Sequence, residues 1–167
     1  MRATKRDRDE GRTAKFDLEA FLPYELSVVS NRVSRTFARR YADAFGLSIP
    51  EWRVMAMVGR YAPLSSNQIC ERTAMDKAKV SRAVSRLIEA GHLARSTNPQ
   101  DQRLIQLTFT ATGRRVYDAI VPLAQEIEAE LMAAFAPGER EVLRTLLHKL
   151  DARVSGLGTP PDAAGED

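Results

Sequence analysis

Along the first third of the chain, Leu22, Leu26, Val29, Val33, Phe37 and Tyr41 recur at spacings of three and four. One face of a helix has that spacing, which predicts a long helix from about Asp17 to Phe45. "GLSIP" interrupts the pattern, and Pro50 falls where a new helix tolerates it, near the first helical position. "EWRVMAMVGRY" continues as a second helix that ends before Pro63. Ser65 or Ser66 can cap a short third helix, "NQICERT". Asp76 can cap a fourth, which runs to Ala90 and stops at Gly91.

The period then shortens. "HLARSTN" and "RLIQLTFT" are β-prone runs on either side of "PQDQ", and together they predict a hairpin. After "TATG" the helical spacing returns through Val116, Ile120, Leu123, Ile127, Leu131 and Phe135. Pro122 lies inside this helix and is expected to kink or weaken it. Pro137-Gly138 ends it, and Val142, Leu143, Leu146, Leu147, Leu150 and Val154 mark a last helix. The expected class is mainly α with one small β hairpin: a helix-turn-helix followed by a hairpin, flanked by helices at both ends.

Residues 1–15 and 155–167 show neither period; the first segment reads as a disordered basic arm and the second as a disordered acidic tail. One domain over residues 16–154 is expected, since 167 residues with 44% hydrophobic content can bury a single core. No apolar run reaches the ~18 residues that span a bilayer, and the charged start lacks a signal peptide's apolar core. The lone cysteine, Cys70, cannot close an internal disulfide. A cytoplasmic protein without a membrane partner is the expectation.

The formal net charge is only +3, yet its placement is uneven. Residues 1–15 hold six Lys/Arg against three acids, and residues 65–115 hold nine against four. Positive charge concentrated in this way fits a polyanionic partner; a solvated charged face is the plainer alternative. The fourth helix bears on that choice. Val80, Ala83, Val84, Leu87 and Ile88 share one face, which leaves Lys79, Ser81, Arg82, Ser85 and Arg86 on the others and Lys77 at the N-terminal end. No acid lies between Lys77 and Ile88, whereas a merely solvated face mixes both signs. A helix fits the major groove of DNA, where Arg and Lys donate to guanine and hydroxyls reach bases or phosphates. The preceding short helix and turn are what hold such a recognition helix on the duplex.

The hairpin adds Arg95 on its first strand and Arg103 just past the tip. A cation there can enter the adjacent minor groove, with Asp101 accepting hydrogen bonds that fix its aim; an ordinary turn with a chance Asp–Arg pair is the alternative. Ser65, Ser66 and Asn67 open the third helix, whose amides can bind a phosphate. Simple capping explains those three equally well.

"MDKAKVSRAVSRLIEAGHLARSTNPQDQRLIQLTFTATGRRVYD", with its Asp101-Gln102-Arg103 wing, resembles the MarR family of winged helix-turn-helix regulators. The likeness extends upstream through "LSIPEWRVMAMV" and downstream through "LAQEIEAELMAAFAPGEREVLRTLLHKL", about residues 18–154 in all. Phe109 is a small departure, standing where a Leu often precedes the Thr. The resemblance implies a homodimer whose first and last helices (about 16–46 and 112–154) interlock. Two winged heads (about 50–110) would then read a pseudo-palindromic double-stranded operator. It also implies a repressor that a small effector, often an aromatic acid, releases from DNA. The residues themselves support only the dimer, because apolar stripes on terminal helices need a partner surface.

Trp52 and Arg53 lie on the second helix, close to where the family places its effector cleft; an indole can stack on an aromatic ligand and a guanidinium can pair with its carboxylate. Core packing is the default for Trp52, Met55 and Met57. On the first helix Arg32, Arg35, Arg39 and Arg40 could hold an anionic effector, even a CoA thioester, with Tyr24 and Asn31 similarly placed; a solvated or DNA-flanking face is the plainer reading of those arginines. Cys70, His92 and His148 read as structural or solvated, and no residues show metal-ligand spacing. With no phosphate loop, paired-His motif or nucleophile elbow, neither an enzyme nor a cofactor is expected. The competing function is an architectural DNA binder with little sequence preference and no effector.

Overall fold

Pro23 decides where the first helix begins. A helix running through it from Asp17 would need a proline N–H that does not exist. In the computed structural model, which describes residues 16–97 and 105–157, α1 accordingly spans Leu22–Phe45 with Pro23 in its first turn. Asp17 instead closes a turn, its carboxylate accepting from the amides of Glu19 and Ala20. Gly46, at φ 66°, ends α1 in the left-handed region that glycine favours.

The chain divides in sequence into two compact units, one ending at Ile49 and one starting at Pro50. In the second lie α2 (Ile49–Tyr61, from its second residue on), α3 (Ser66–Thr73), α4 (Lys77–Glu89), β1 (Leu93–Thr97), β2 (Ile105–Phe109), α5 (Ala111–Met132) and α6 (Pro137–Leu157). This is the mainly helical, winged helix-turn-helix arrangement that the sequence predicts.

The head's core follows the helical and strand periods. Val54, Met55 and Val58 of α2, Ile69 of α3, Val80, Ala83, Val84 and Leu87 of α4, Leu93 of β1 and Leu107 of β2 are buried. α4 packs against α3 and β1. β1 and β2 pair antiparallel, with Arg95 opposite Leu107 and Thr97 opposite Ile105. Leu64 adds a short third edge that the sequence does not announce: its carbonyl accepts from Leu107 N at 2.9 Å. The wing is thereby tied to the segment that leads into α3.

Two glycines are fixed by close approach. A Cβ on Gly113 would overlap the carbonyl of His92, where Thr110 caps α5 and donates its hydroxyl to Gly91 O at 2.6 Å. A Cβ on Gly59 would overlap the Tyr117 ring. α5 continues on both sides of Pro122 and ends at Met132, short of the expected Phe135. The chain then turns into α6, whose first residue is Pro137 and whose Glu139 carboxylate accepts from Ala136 N at 2.8 Å. α6 runs on to Leu157, so Ser155, Gly156 and Leu157 belong to a helix and not to a tail. None of its residues is buried, and Val142, Leu146, Val154 and Leu157 lie exposed along one stripe.

Candidate nucleic-acid interface

α4 is anchored before it is charged. Asp76 is its N-cap: Oδ1 accepts from Lys79 N at 2.7 Å, and Oδ2 lies 3.1 Å from Lys79 Nζ. The backbone bond from Lys79, its side-chain bond, and then the charges of Lys79 and Arg82 together hold the Asp76 carboxyl below its ordinary 3.8. At the other end Gly91, at φ 71°, turns the chain so that His92 N donates to Leu87 O. With the apolar face sealed into the core, Lys77, Lys79, Ser81, Arg82 and Arg86 are exposed and Ser85 is half-buried.

Two of these cations are engaged. Lys79 folds back on the cap, and the Arg86 guanidinium lies 3.8 Å from the carboxylate of Glu51 in the first turn of α2. Glu51 is the one charged residue buried among those described. The sequence offers no sign of this pairing, since a first-turn acid looks the same whether it is solvated or buried. Arg82 is exposed and stands outward with Ser81 on the middle turns.

Ser65 caps α3 in a reciprocal box, its Oγ accepting from Gln68 N at 3.3 Å while Gln68 Oε1 accepts from Ser65 N at 2.8 Å. The capping role expected for it is therefore present; Ser66 and Asn67 form the first turn behind it. Arg95 is exposed on β1. Asp101 and Arg103 lie outside the described residues.

Of the expected effector residues, Trp52 and Arg53 line a common cavity of about 230 Å³ with Ala56, Met57, Arg72 and Thr73. Sequence reasoning missed Arg72 and Thr73, because the contact between α3 and α2 is tertiary. Tyr24, Asn31, Arg35 and Arg39 are exposed on α1, in the unit that ends at Ile49. The Trp52 ring stacks on Tyr117 of α5 at 6.2 Å, and Phe109 of β2 meets the same tyrosine at 5.2 Å. Arg114 lies over both Phe109 and Tyr117, completing a ladder from α2 to the wing strand. Cys70 is half-buried and His148 exposed. Among the described residues no His, Cys, Asp or Glu group has the geometry to hold a metal, and no helix is long and apolar enough to cross a membrane.

A family model described as the MarR family matches residues 45–104. The HTH-type transcriptional repressor NicR of Pseudomonas putida is 30% identical over 135 residues, 77% of this chain and 85% of the relative. Among solved structures, a MarR/EmrR family transcriptional regulator from Acinetobacter sp. ADP1 superposes with a TM-score of 0.79 at 25% identity, covering 84% of this chain and 99% of that one. Bordetella bronchiseptica BpsR, whose DNA binding is regulated by 6-hydroxynicotinic acid, superposes with a TM-score of 0.74 at 25% identity, covering 83% and 98%.

Proposed function

The chain belongs to the MarR family of transcriptional regulators, DNA-binding proteins and not enzymes, and from that premise we propose a homodimeric, sequence-specific repressor released from its operator by a small aromatic acid. The observation that carries the reading is α4: a helix sealed into the core on one face, with cations and hydroxyls and no acid from Lys77 to Ile88 on the rest. Arg82, Arg86, Lys77, Lys79, Ser81 and Ser85 are assigned to the major groove, and Arg95 and Arg103 to the wing, with Asp101 orienting Arg103. Ser65, Ser66 and Asn67 are assigned to phosphate contact at the start of α3. Phosphate contacts supply most of the affinity, while base edges choose the sequence.

The dimer is assigned to α1, α5 and α6. An exposed apolar stripe such as that of Val142, Leu146, Val154 and Leu157 marks an association surface. Two heads held by a two-fold axis reach successive major grooves ~34 Å apart, so the operator is pseudo-palindromic. Effector control is supported by BpsR, at 25% identity over nearly its whole length, and by the presence of Trp52 and Arg53 in one cavity. An effector acts only through different affinities for DNA-competent and incompetent states.

The test is fluorescence anisotropy with duplexes drawn by random-site selection, run across a salt series. Selective binding whose log affinity falls steeply with log salt is expected. Equal binding to selected and random duplexes would replace this reading with that of an architectural binder.

A further inference from the structure

Positions 51, 54, 55 and 58 of α2 follow the i, i+3, i+4, i+7 spacing of one helix face, and all four residues are buried. Three of them are Val54, Met55 and Val58. The fourth is Glu51, so a carboxylate stands on the core face where the pattern calls for an aliphatic side chain. A buried carboxylate is costly unless it is paired, and an apolar residue of similar volume serves a fold at least as well. Glu51 lies in the first turn of α2, where a glutamate can cap its own helix, but a solvated glutamate does that equally well. Its burial therefore points to a role other than stability.

The partner across the gap supplies one. Lys79, Arg82 and Arg86 lie at i, i+3 and i+7 on α4 and form one row ~10 Å long. A carboxylate meets each end of the row: Asp76 Oδ2 is 3.1 Å from Lys79 Nζ, and Glu51 Oε1 is 3.8 Å from Arg86 Nη1. An ammonium is a compact point charge, whereas a guanidinium is a planar fork of donors. A partner on Nη1 leaves the edge formed by Nη2 and Nε for a second acceptor. The Arg86 side chain is 69% exposed, so there is room for one. Two parallel donors on that edge match O6 and N7 of a guanine, the contact that tells base pairs apart. Glu51, itself immobilised by burial, restricts the guanidinium before any DNA arrives, which lowers the ordering cost of the correct contact. The same negative charge works against a loose contact to any nearby phosphate.

We propose that Glu51 is a positioning residue for DNA recognition, holding Arg86 by one edge so that the other reads a guanine. It contributes sequence preference and not raw affinity. This role rests on the assignment of α4 to the major groove.

Full-length wild type, Glu51→Gln, Arg86→Gln and the double variant are compared by anisotropy on the selected operator and on a random duplex, with urea unfolding of each in parallel. Glu51→Gln keeps the shape and removes the charge. It is expected to bind the random duplex at least as tightly as wild type, while its preference for the operator falls about fivefold or more. In the Arg86→Gln background the same substitution is expected to change that preference by less than about twofold, because the residue through which Glu51 acts is gone. Arg86→Lys leaves Glu51 in place and is independent of how well Glu51→Gln folds. It is expected to keep the random-duplex affinity and lose the preference. A loss shared equally by both duplexes and persisting in the Arg86→Gln background would make Glu51 a scaffold residue and overturn the proposal. Undiminished preference in Glu51→Gln or in Arg86→Lys overturns it as well. Selective wild-type binding that Arg86→Gln leaves unaltered takes Arg86 off the DNA and overturns this role alone. Equal wild-type binding to both duplexes overturns the sequence-specific reading together with it.

Discussion

The guanidinium of Arg86 stands 3.8 Å from the carboxylate of Glu51, joining the last turn of α4 to the first turn of α2. The two partners are unequal: the Glu51 side chain is 9% exposed and that of Arg86 69%. Removing the arginine leaves a buried carboxylate with less compensation, although solvent screens a pair this open. Arg86→Ala is therefore expected to lower stability by about 0.5–1 kcal/mol in urea unfolding, as well as weakening operator binding. Unchanged stability would show that the pair contributes nothing to the fold.

Arg82 provides the contrast. It is exposed on α4 and has no role in the core, so Arg82→Ala is expected to leave the Tm unchanged while costing operator affinity about 1–3 kcal/mol. If the contact is to a phosphate, the slope of log affinity against log salt falls by about 0.9; if it is to a base, preference relaxes at one operator position. A lower Tm with unaltered binding would move Arg82 from the interface to the scaffold.

Asp76 makes the cap sensitive to acid. Its carboxyl is held below 3.8 in the fold, so its contribution is complete above that value and disappears as pH falls through the lower folded value. Asp76→Asn keeps an oxygen acceptor but removes the charge. The Tm difference between wild type and variant is expected to stay constant from about pH 5 to 7 and to shrink below about pH 4. A difference that grew in acid would contradict the assignment.

Gly113 and Gly138 predict opposite outcomes for the same substitution. Gly113→Ala forces a methyl into the His92 carbonyl, and overpacking of this kind is expected to destabilise by about 1–3 kcal/mol. Gly138→Ala meets nothing within 4 Å and lies in the first turn of α6, so it is expected to be neutral or to stabilise by up to about 1 kcal/mol. Chemical denaturation of the two variants separates them.

The α6 stripe bears on assembly. Sedimentation of the wild type is expected at about twice the chain mass of 18.6 kDa, and Leu146→Lys is expected to shift it toward the monomer with loss of tight operator binding. An unshifted dimer would place the interface on other helices.

Much of the head was legible because its signals are local. The i, i+3, i+4 spacing of Val80 through Ile88 defined the α4 face, Asp76 and Gly91 its ends, and the missing acids its outward character. The order of elements, and with it the fold class, followed from the same periods. Local signals were also misread where a proline acts at a distance of a few residues: Pro23 set the start of α1, and Pro137 opened α6 where only the end of α5 was expected. What the chain's order of residues does not encode is which side chains meet across elements. Only the tertiary structure paired Arg86 with Glu51, put Arg72 and Thr73 beside Trp52, laid Leu64 against Leu107 and pressed Gly113 onto His92. Periodicity fixes the face on which a residue sits, since backbone geometry repeats along the sequence; the neighbour opposite that face depends on how separate elements pack, and no spacing within one element records it.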